Sequence, residues 1–368
     1  MNEKMKKPNE IMRFGALLLL AGLVIPALTV IADEPRVFVV DNNGGPHADF
    51  TDLQEAVDSA EDGDIVHVLG SGTDYGSLTI TRRVHLFGPG YNLIAVAGEG
   101  YQDFLDAELG LVTFTAELVE SDGGEEVRSA AGSTMTGFRT GSVLVRVPDV
   151  TIKKNNINLV RVEAGAVTVD GKNIIPHRMH VIQNFVRRSI QADGESWLDH
   201  VIVNNIVVTT GATASDRTVV WNGLVRNNFF RTSLSLRIHQ STLESNLVRS
   251  HLDNSSRNSL IRNNLISGEQ PDDQGFNEAN QFSDNLWNVD FDTVFTETGA
   301  FDEQYQLAEE SPAREAGYGG VDAGPYGGDT PYRVSGVSSL PRIRLLEAPP
   351  YIASPHSDLT IPIRIEVE

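Results

Sequence analysis

The chain has 368 residues, with 29 Lys and Arg against 50 Asp and Glu, a net charge of −21 and no cysteine. That surplus of acid makes nucleic acid and anionic membrane poor partners, and without cysteine no disulfide framework is available, so packing and hydrogen bonding must hold the fold. An apolar fraction of 40% suffices for a core, in one elongated domain or two compact ones.

Residues 1–32 read as an export signal. Lys4, Lys6, Lys7 and Arg13 precede the apolar run Phe14 to Ile31, and Val30 with Ala32 gives a small-residue cleavage pattern before Asp33. The run is long for a signal, so an uncleaved membrane anchor is the alternative. No second run of that length follows, and the remainder carries 25 basic and 48 acidic residues, a net of −23. The expected location is therefore periplasmic, extracellular or at the cell surface, with no membrane contact after signal removal, and the expected state is a monomer.

The segment "DFTDLQEAVDSAEDGD" follows a helical period. Phe50, Leu53, Ala56, Val57 and Ala60 fall on one face, and Thr51 with Gln54 offers a capping box. Such a helix can plug the open end of a solenoid. Next, "DIVHVLGSGTDYGSLTITRRVHLFG" contains three alternating runs, IVHV, LTI and VHL, which predict three strands per coil. In that register Val66, Val68, Leu78, Ile80, Val84 and Leu86 face inward, while His67, Thr79 and His85 face solvent. Residues 92–133 are acidic and irregular, and predict an insertion on an early coil.

From residue 151 a phrase recurs: "TIKKNNIN", "HVIQNFV", "HVIVNNIV", "GLVRNNFF", "STLESNLV", "SLIRNNLI" and "QFSDNLW". It aligns Asn156, Asn184, Asn205, Asn228, Asn246, Asn264 and Asn285 at spacings of 28, 21, 23, 18, 18 and 21. That period suits one turn of a β-rich solenoid. Aligned amides about 4.8 Å apart can bond to one another and to turn backbone, and Asn tolerates a left-handed turn, so these residues are expected to be a structural ladder. Residues 267–281 read as a polar loop, and 331–368 as a C-terminal β appendage after a solenoid spanning 33–330.

Three segments, "FTDLQEAVDSAEDGDIVHV", "RRVHLFGPGY" and "SPAREAGYGGVDAGPYGG", together with the Asn repeats, resemble the right-handed parallel β-helices of the pectin-lyase-like superfamily over about residues 36–330. The leucine-rich repeat also carries a recurrent asparagine, but it wants leucines at fixed positions and a helical segment per repeat. The expected fold is therefore all-β, a single-stranded right-handed parallel β-helix with a short N-terminal capping helix.

The ladder supplies a register for the charges. Arg226, Glu244 and Arg262 are expected to stack as an exposed row of alternating charge, and Arg231 to lie next to Arg249. Residues 178–262 hold ten Arg and six Asp or Glu, a net of +4, whereas residues 263–330 hold one Arg and fifteen Asp or Glu, a net of −14. Arginine forks match carboxylates and sulfates, so Arg231, Arg249, His251 and Arg257 are the candidate binding residues for an acidic polysaccharide.

The resemblance implies a further candidate chemistry. β-Helix polysaccharide lyases remove a proton beside a uronate carboxylate with an Arg or Lys base whose pKa is depressed by neighbouring cations or Ca²⁺. Arg237, His239 and Asp253 form the candidate catalytic set, making a polysaccharide lyase or glycoside hydrolase one alternative. A cell-surface adhesion scaffold is the other. The clustered Asp ligands of pectate lyases and the paired-Asp phrases of β-helix glycosidases do not accompany these residues. No resident cofactor is expected. His177, His180 and His200 are weak metal leads, and Asp272, Asp273 and Glu278 weak Ca²⁺ leads.

Overall fold

A computed structural model describes residues 34–93, 105–121, 124–163, 167–169, 172–192, 199–209, 217–232, 234–299, 301–336, 342–346 and 363–366. The expected signal segment, residues 1–32, lies outside them. Among the described residues no helix is long and apolar enough to cross a membrane.

Short alternating runs build the wall. In a first sheet of parallel strands, Val66, Leu86, Met135, Ile152, Val181 and Ile202 are register partners coil upon coil, and the column continues through Val225, Leu243 and Ile261. All of them are fully buried. A second parallel sheet stacks Ile157, Val186, Val207, Phe230, Val248 and Ile266 inward in the same way. Because alternate residues face opposite sides, one apolar column per strand is enough to fill the lumen. The protein is an all-β parallel β-solenoid.

The third side of the coil holds shorter pieces. Val219–Trp221 pairs with Arg237–His239, and single bridges join Leu236 to Leu252 and His239 to Arg257. The runs IVHV and VHL prove to be equivalent strands of successive coils, Ile65–Val68 beside His85–Phe87. LTI, at Leu78–Ile80, lies between them in the second sheet. The six inward residues assigned to these runs are all buried.

From the strand Thr151–Lys153 onward, each coil passes from the first sheet to the second through an asparagine. The Nδ2 of Asn155, Asn184, Asn205, Asn228, Asn246 and Asn264 donates at 2.9–3.1 Å to the Oδ1 of the equivalent Asn in the next coil, ending at Asn285. The same oxygen accepts the backbone N–H of the donor asparagine. In the first of these coils the ladder residue is thus Asn155 and not Asn156, which instead begins the strand Asn156–Val162. The left-handed turn also belongs to a different residue. Lys154, Gln183, Asn204, Asn227, Ser245, Asn263 and Asp284, each preceding a ladder Asn, have φ between 51° and 57°. Only the second residue of each pair turns its amide into the core, which separates the two tasks that the sequence reading gave to one.

A second line of acceptors runs where each coil enters the first sheet. Ser133 Oγ accepts the Val84 N–H, Ser241 Oγ that of Gly223, Ser259 Oγ that of Ser241, and Asn280 Oδ1 that of Ser259. In the coil beginning at His200 the imidazole Nδ1 performs this role, accepting the Met179 N–H at 3.2 Å.

At the N-terminal end, helix α1 (Leu53–Ser59) buries Leu53, Ala56 and Val57. Its N-cap is Asp52, which accepts the Glu55 N–H at 2.8 Å, so Thr51 is not the cap. The Gln54 amide is occupied elsewhere, bonding Thr79 N and Thr79 O at 2.9 Å each. Leu78–Ile80 is the edge strand of the second sheet, so α1 satisfies a sheet edge as well as covering the core. Within 92–133, Val112–Phe114 is an ordinary coil strand, and Ala116–Ser121 with Gly124–Ser129 forms an antiparallel hairpin.

The last strand of the first sheet is Gln281–Ser283. Residues 287–299 and 301–336 then return along the solenoid as a strap. The residue following each ladder Asn faces outward and is apolar in five consecutive coils: Phe185, Ile206, Phe229, Leu247 and Leu265, all buried beneath strap residues such as Phe291, Phe295 and Tyr305. The left-handed turn residues fasten the strap's carbonyls. Asn263 donates to Ala316, Asn227 to Asp322 and Gly324, Asn204 to Pro325 and Gly327, and Gln183 to Thr330 and Pro331. Gly324 must be glycine, because a Cβ there would lie 2.4 Å from Leu247 Cδ1. At the far end, buried Asp302 accepts hydrogen bonds from Tyr332, Tyr91 and the Ser335 N–H. Burial raises its pKa against those bonds. Beyond the strap, Arg342–Leu346 pairs antiparallel with Ile363–Glu366.

Candidate functional site

The strap divides the arginine-bearing surface into two groups. Arg231 and Arg249 are direct register partners on the outer face of the second sheet. They stand beside the strap, and Arg249 Nη2 lies 2.9 Å from Asp292 Oδ1. Neighbouring Phe229 and Leu247 are already covered. On the first sheet, the Arg226, Glu244, Arg262 row is not an exposed one, because the Glu244 side chain is 1% accessible. Arg226 and Arg262 close over it, and Arg262 in turn stacks 3.6 Å from the ring centroid of Tyr318 on the strap.

The second group is on the third side. Arg237 and His239 flank inward-facing Ile238, so both project outward. Asp253 joins them from the next coil: its Oδ2 is 3.2 Å from both Arg217 Nη1 and Arg237 Nη2, and accepts the Ser235 hydroxyl at 2.9 Å. Burial opposes its ionisation, but hydrogen bonds from Ser255, Ser235 and Arg237 outweigh that and hold the carboxyl well below the usual range. Asp253 is a clamped anion, with no proton to give and little basicity.

His239 stacks on Trp221 from the preceding coil, with ring centroids 4.0 Å apart and planes at 26°. Partial burial, reinforced by the charge of Arg237, lowers the His239 pKa, so near neutral pH the stack is uncharged. Arg257 follows in the next coil, bridged to His239 through its backbone and held by the Ser256 carbonyl at 2.8 Å. Trp221, His239 and Arg257 thus form a partly exposed platform rising over three coils. His251 is exposed at the edge between this side and the Arg249 side.

Trp221 and Arg217 were not singled out from the sequence. The signal was an aromatic at an outward position of the alternating run "TVVWN". The Asn register reaches this side too: Trp221, His239 and Arg257 each stand seven residues before a ladder Asn, at Asn228, Asn246 and Asn264. Around the corner from the platform is a depression of about 410 Å³ lined by Gln240, Ser241, Thr242, Asn258, Ser259, Leu260, Ala279 and Gln281.

The metal leads do not converge. His200 points inward and burial lowers its pKa to about 4, while His177 Nδ1 lies 2.9 Å from the Ile175 carbonyl. Asp273 caps helix α2 (Gln274–Ala279), accepting the Phe276 N–H at 2.7 Å, and Glu278 accepts the Gln274 amide at 2.6 Å. Among the described residues no group of three or more His, Asp or Glu is placed to hold a metal ion. No protein-family model matches the chain, and no curated protein is significantly similar to it.

Proposed function

We propose that this is an exported right-handed β-helix, akin to the pectin-lyase-like superfamily, whose third side binds an acidic polysaccharide without cleaving it. The observation that carries this reading is the Trp221–His239 stack set beside Arg237 and Arg257. A flat aromatic surface suits the C–H face of a sugar ring, and a guanidinium beside it suits a carboxylate or sulfate. Reading the same cluster as catalytic is less well supported, because Asp253 is spent in ion pairs with Arg217 and Arg237.

The test is binding of the purified chain to polygalacturonate, with product analysis in the same samples. The expected result is salt-sensitive binding that weakens about tenfold, or 1.4 kcal/mol, in Trp221→Ala, with neither unsaturated uronate absorbance nor new reducing ends. Binding that ignores Trp221→Ala would reject the platform, and product formation would reject the non-catalytic reading.

A further inference from the structure

We propose that the depression beside the platform is a subsite for an uncharged, hydroxyl-rich sugar unit, so that the ligand of this face is a mixed polysaccharide in which an acidic unit adjoins a neutral one. This rests on the carbohydrate reading above and narrows it.

Three successive coils form the depression. Thr242, Leu260 and Gln281 are register partners in the first sheet, and Gln240, Asn258 and Ala279 stack at the preceding turn. Among the described residues no charged side chain lines it. The Gln240, Asn258 and Gln281 amides and the Thr242 hydroxyl have no hydrogen-bond partner among the described residues. Amides offer donors and acceptors together, which matches hydroxyl groups, whereas a carboxylate would call for donors alone. Leu260 and Ala279 supply apolar surface for the sugar's C–H face. The serines are structural instead: Ser241 Oγ bonds the His239 carbonyl and Ser259 Oγ the Arg257 carbonyl.

The same turn is filled in earlier coils, where Arg178 Nε lies 2.6 Å from Asp149 Oδ1. From Asn222 onward that charge is gone, and the column narrows through Gln240 and Asn258 to Ala279 at the end of α2. The depression also adjoins the platform covalently: His239 precedes Gln240, and Arg257 precedes Asn258. Left-handed backbone at Gln240 and Asn258, with φ of 50° and 58°, turns the corner between them. A sugar on the platform therefore has its neighbour in the depression.

The full-length chain should be titrated with polygalacturonate, dextran and xanthan, which represent acidic, neutral and mixed polymers. One variant is Gln240→Gly with Asn258→Gly, glycine being chosen because both positions have positive φ; the other, Ala279→Trp, fills the depression. Wild type is expected to bind xanthan about tenfold more tightly than polygalacturonate. Both variants should abolish that margin while leaving polygalacturonate binding and the melting temperature unchanged. If wild type shows no preference for xanthan, or the double glycine variant keeps it, the neutral subsite is overturned and the platform reading stands. If wild type binds none of the polymers, both are overturned. Should Ala279→Trp misfold, the double glycine variant decides alone.

Discussion

Asn227 and Asn228 are consecutive in sequence and serve opposite sides of the wall. The Asn228 amide donates to Asn246 Oδ1 within the coil stack at 3.0 Å, whereas the Asn227 amide donates to the Asp322 and Gly324 carbonyls of the strap at 3.1 and 3.3 Å. The recurrent Asn pair is therefore two devices side by side. One holds the coils in register and the other fastens a segment folded across them.

Asn227→Gly isolates the second device, because glycine keeps the left-handed turn while removing the side chain. The loss of two hydrogen bonds is expected to cost about 1–2 kcal/mol. The strap should then be cut sooner by a protease in the stretch around Gly319 and Gly320, with far-UV circular dichroism unchanged. An unaltered cleavage rate would show that the Asn227 amide does not fasten it.

Asn246→Ala tests the first device more severely. Its Nδ2 donates to the Val225 and Glu244 carbonyls and to Asn264 Oδ1, and its own Oδ1 accepts from Asn228. Truncation orphans several buried groups, each worth about 1–3 kcal/mol, so the total should reach roughly 3 kcal/mol in denaturant unfolding. Asn156→Ala is the control. The buried Asn156 Oδ1 has no partner among the described residues, and its removal should cost less than about 1 kcal/mol.

The β-solenoid was legible in the sequence because alternation and a recurring Asn report directly on strand and turn. The one-residue error at Asn156 arose because "KNN" offers two asparagines, and alignment by side chain alone cannot tell the ladder residue Asn155 from Asn156, which opens the next strand. The strap was less legible. Its sequence, rich in Gly, Pro and Asp, has no period, and its role shows only in the partners it meets, such as Leu247 under Gly324. For the site, Arg231 and Arg249 could be aligned from the ladder, but sequence could not reveal that the strap would lie beside them. On the third side, Trp221 stands seven residues before Asn228, as His239 does before Asn246 and Arg257 before Asn264, so the alignment was present in the sequence, but nothing in it marks that side as free of the strap.

His200 predicts a pH dependence with a defined sign. Its imidazole is neutral in the fold and accepts the Met179 N–H; burial, together with the nearby charge of His177, lowers its pKa to about 4 from 6.5. Between those values the unfolded chain binds the proton more readily than the folded one. The contribution is therefore full above about pH 6.5, falls as pH drops toward 4, and changes no further below that. The difference amounts to roughly 3 kcal/mol. His200→Asn should retain an acceptor, since Asn280 performs the same task for Ser259, and should remove that share of the acid sensitivity. Equal stability loss from pH 7 to 4.5 in both proteins would contradict this.

The two arginine groups can be separated by one binding experiment with polygalacturonate. Arg249 is paired with Asp292, an exposed ion pair worth only about 0–1 kcal/mol, and both Arg249 and Arg231 stand beside the strap. Arg231→Ala with Arg249→Ala should therefore leave affinity within about twofold of wild type, a change of about 0.4 kcal/mol. Arg237→Ala with Arg257→Ala removes the cations beside the Trp221–His239 stack. It should weaken binding by about tenfold or more and flatten its salt dependence, while Asp253 keeps Arg217 as a partner. The reverse ranking would move the ligand to the second sheet and require it to share that face with the strap.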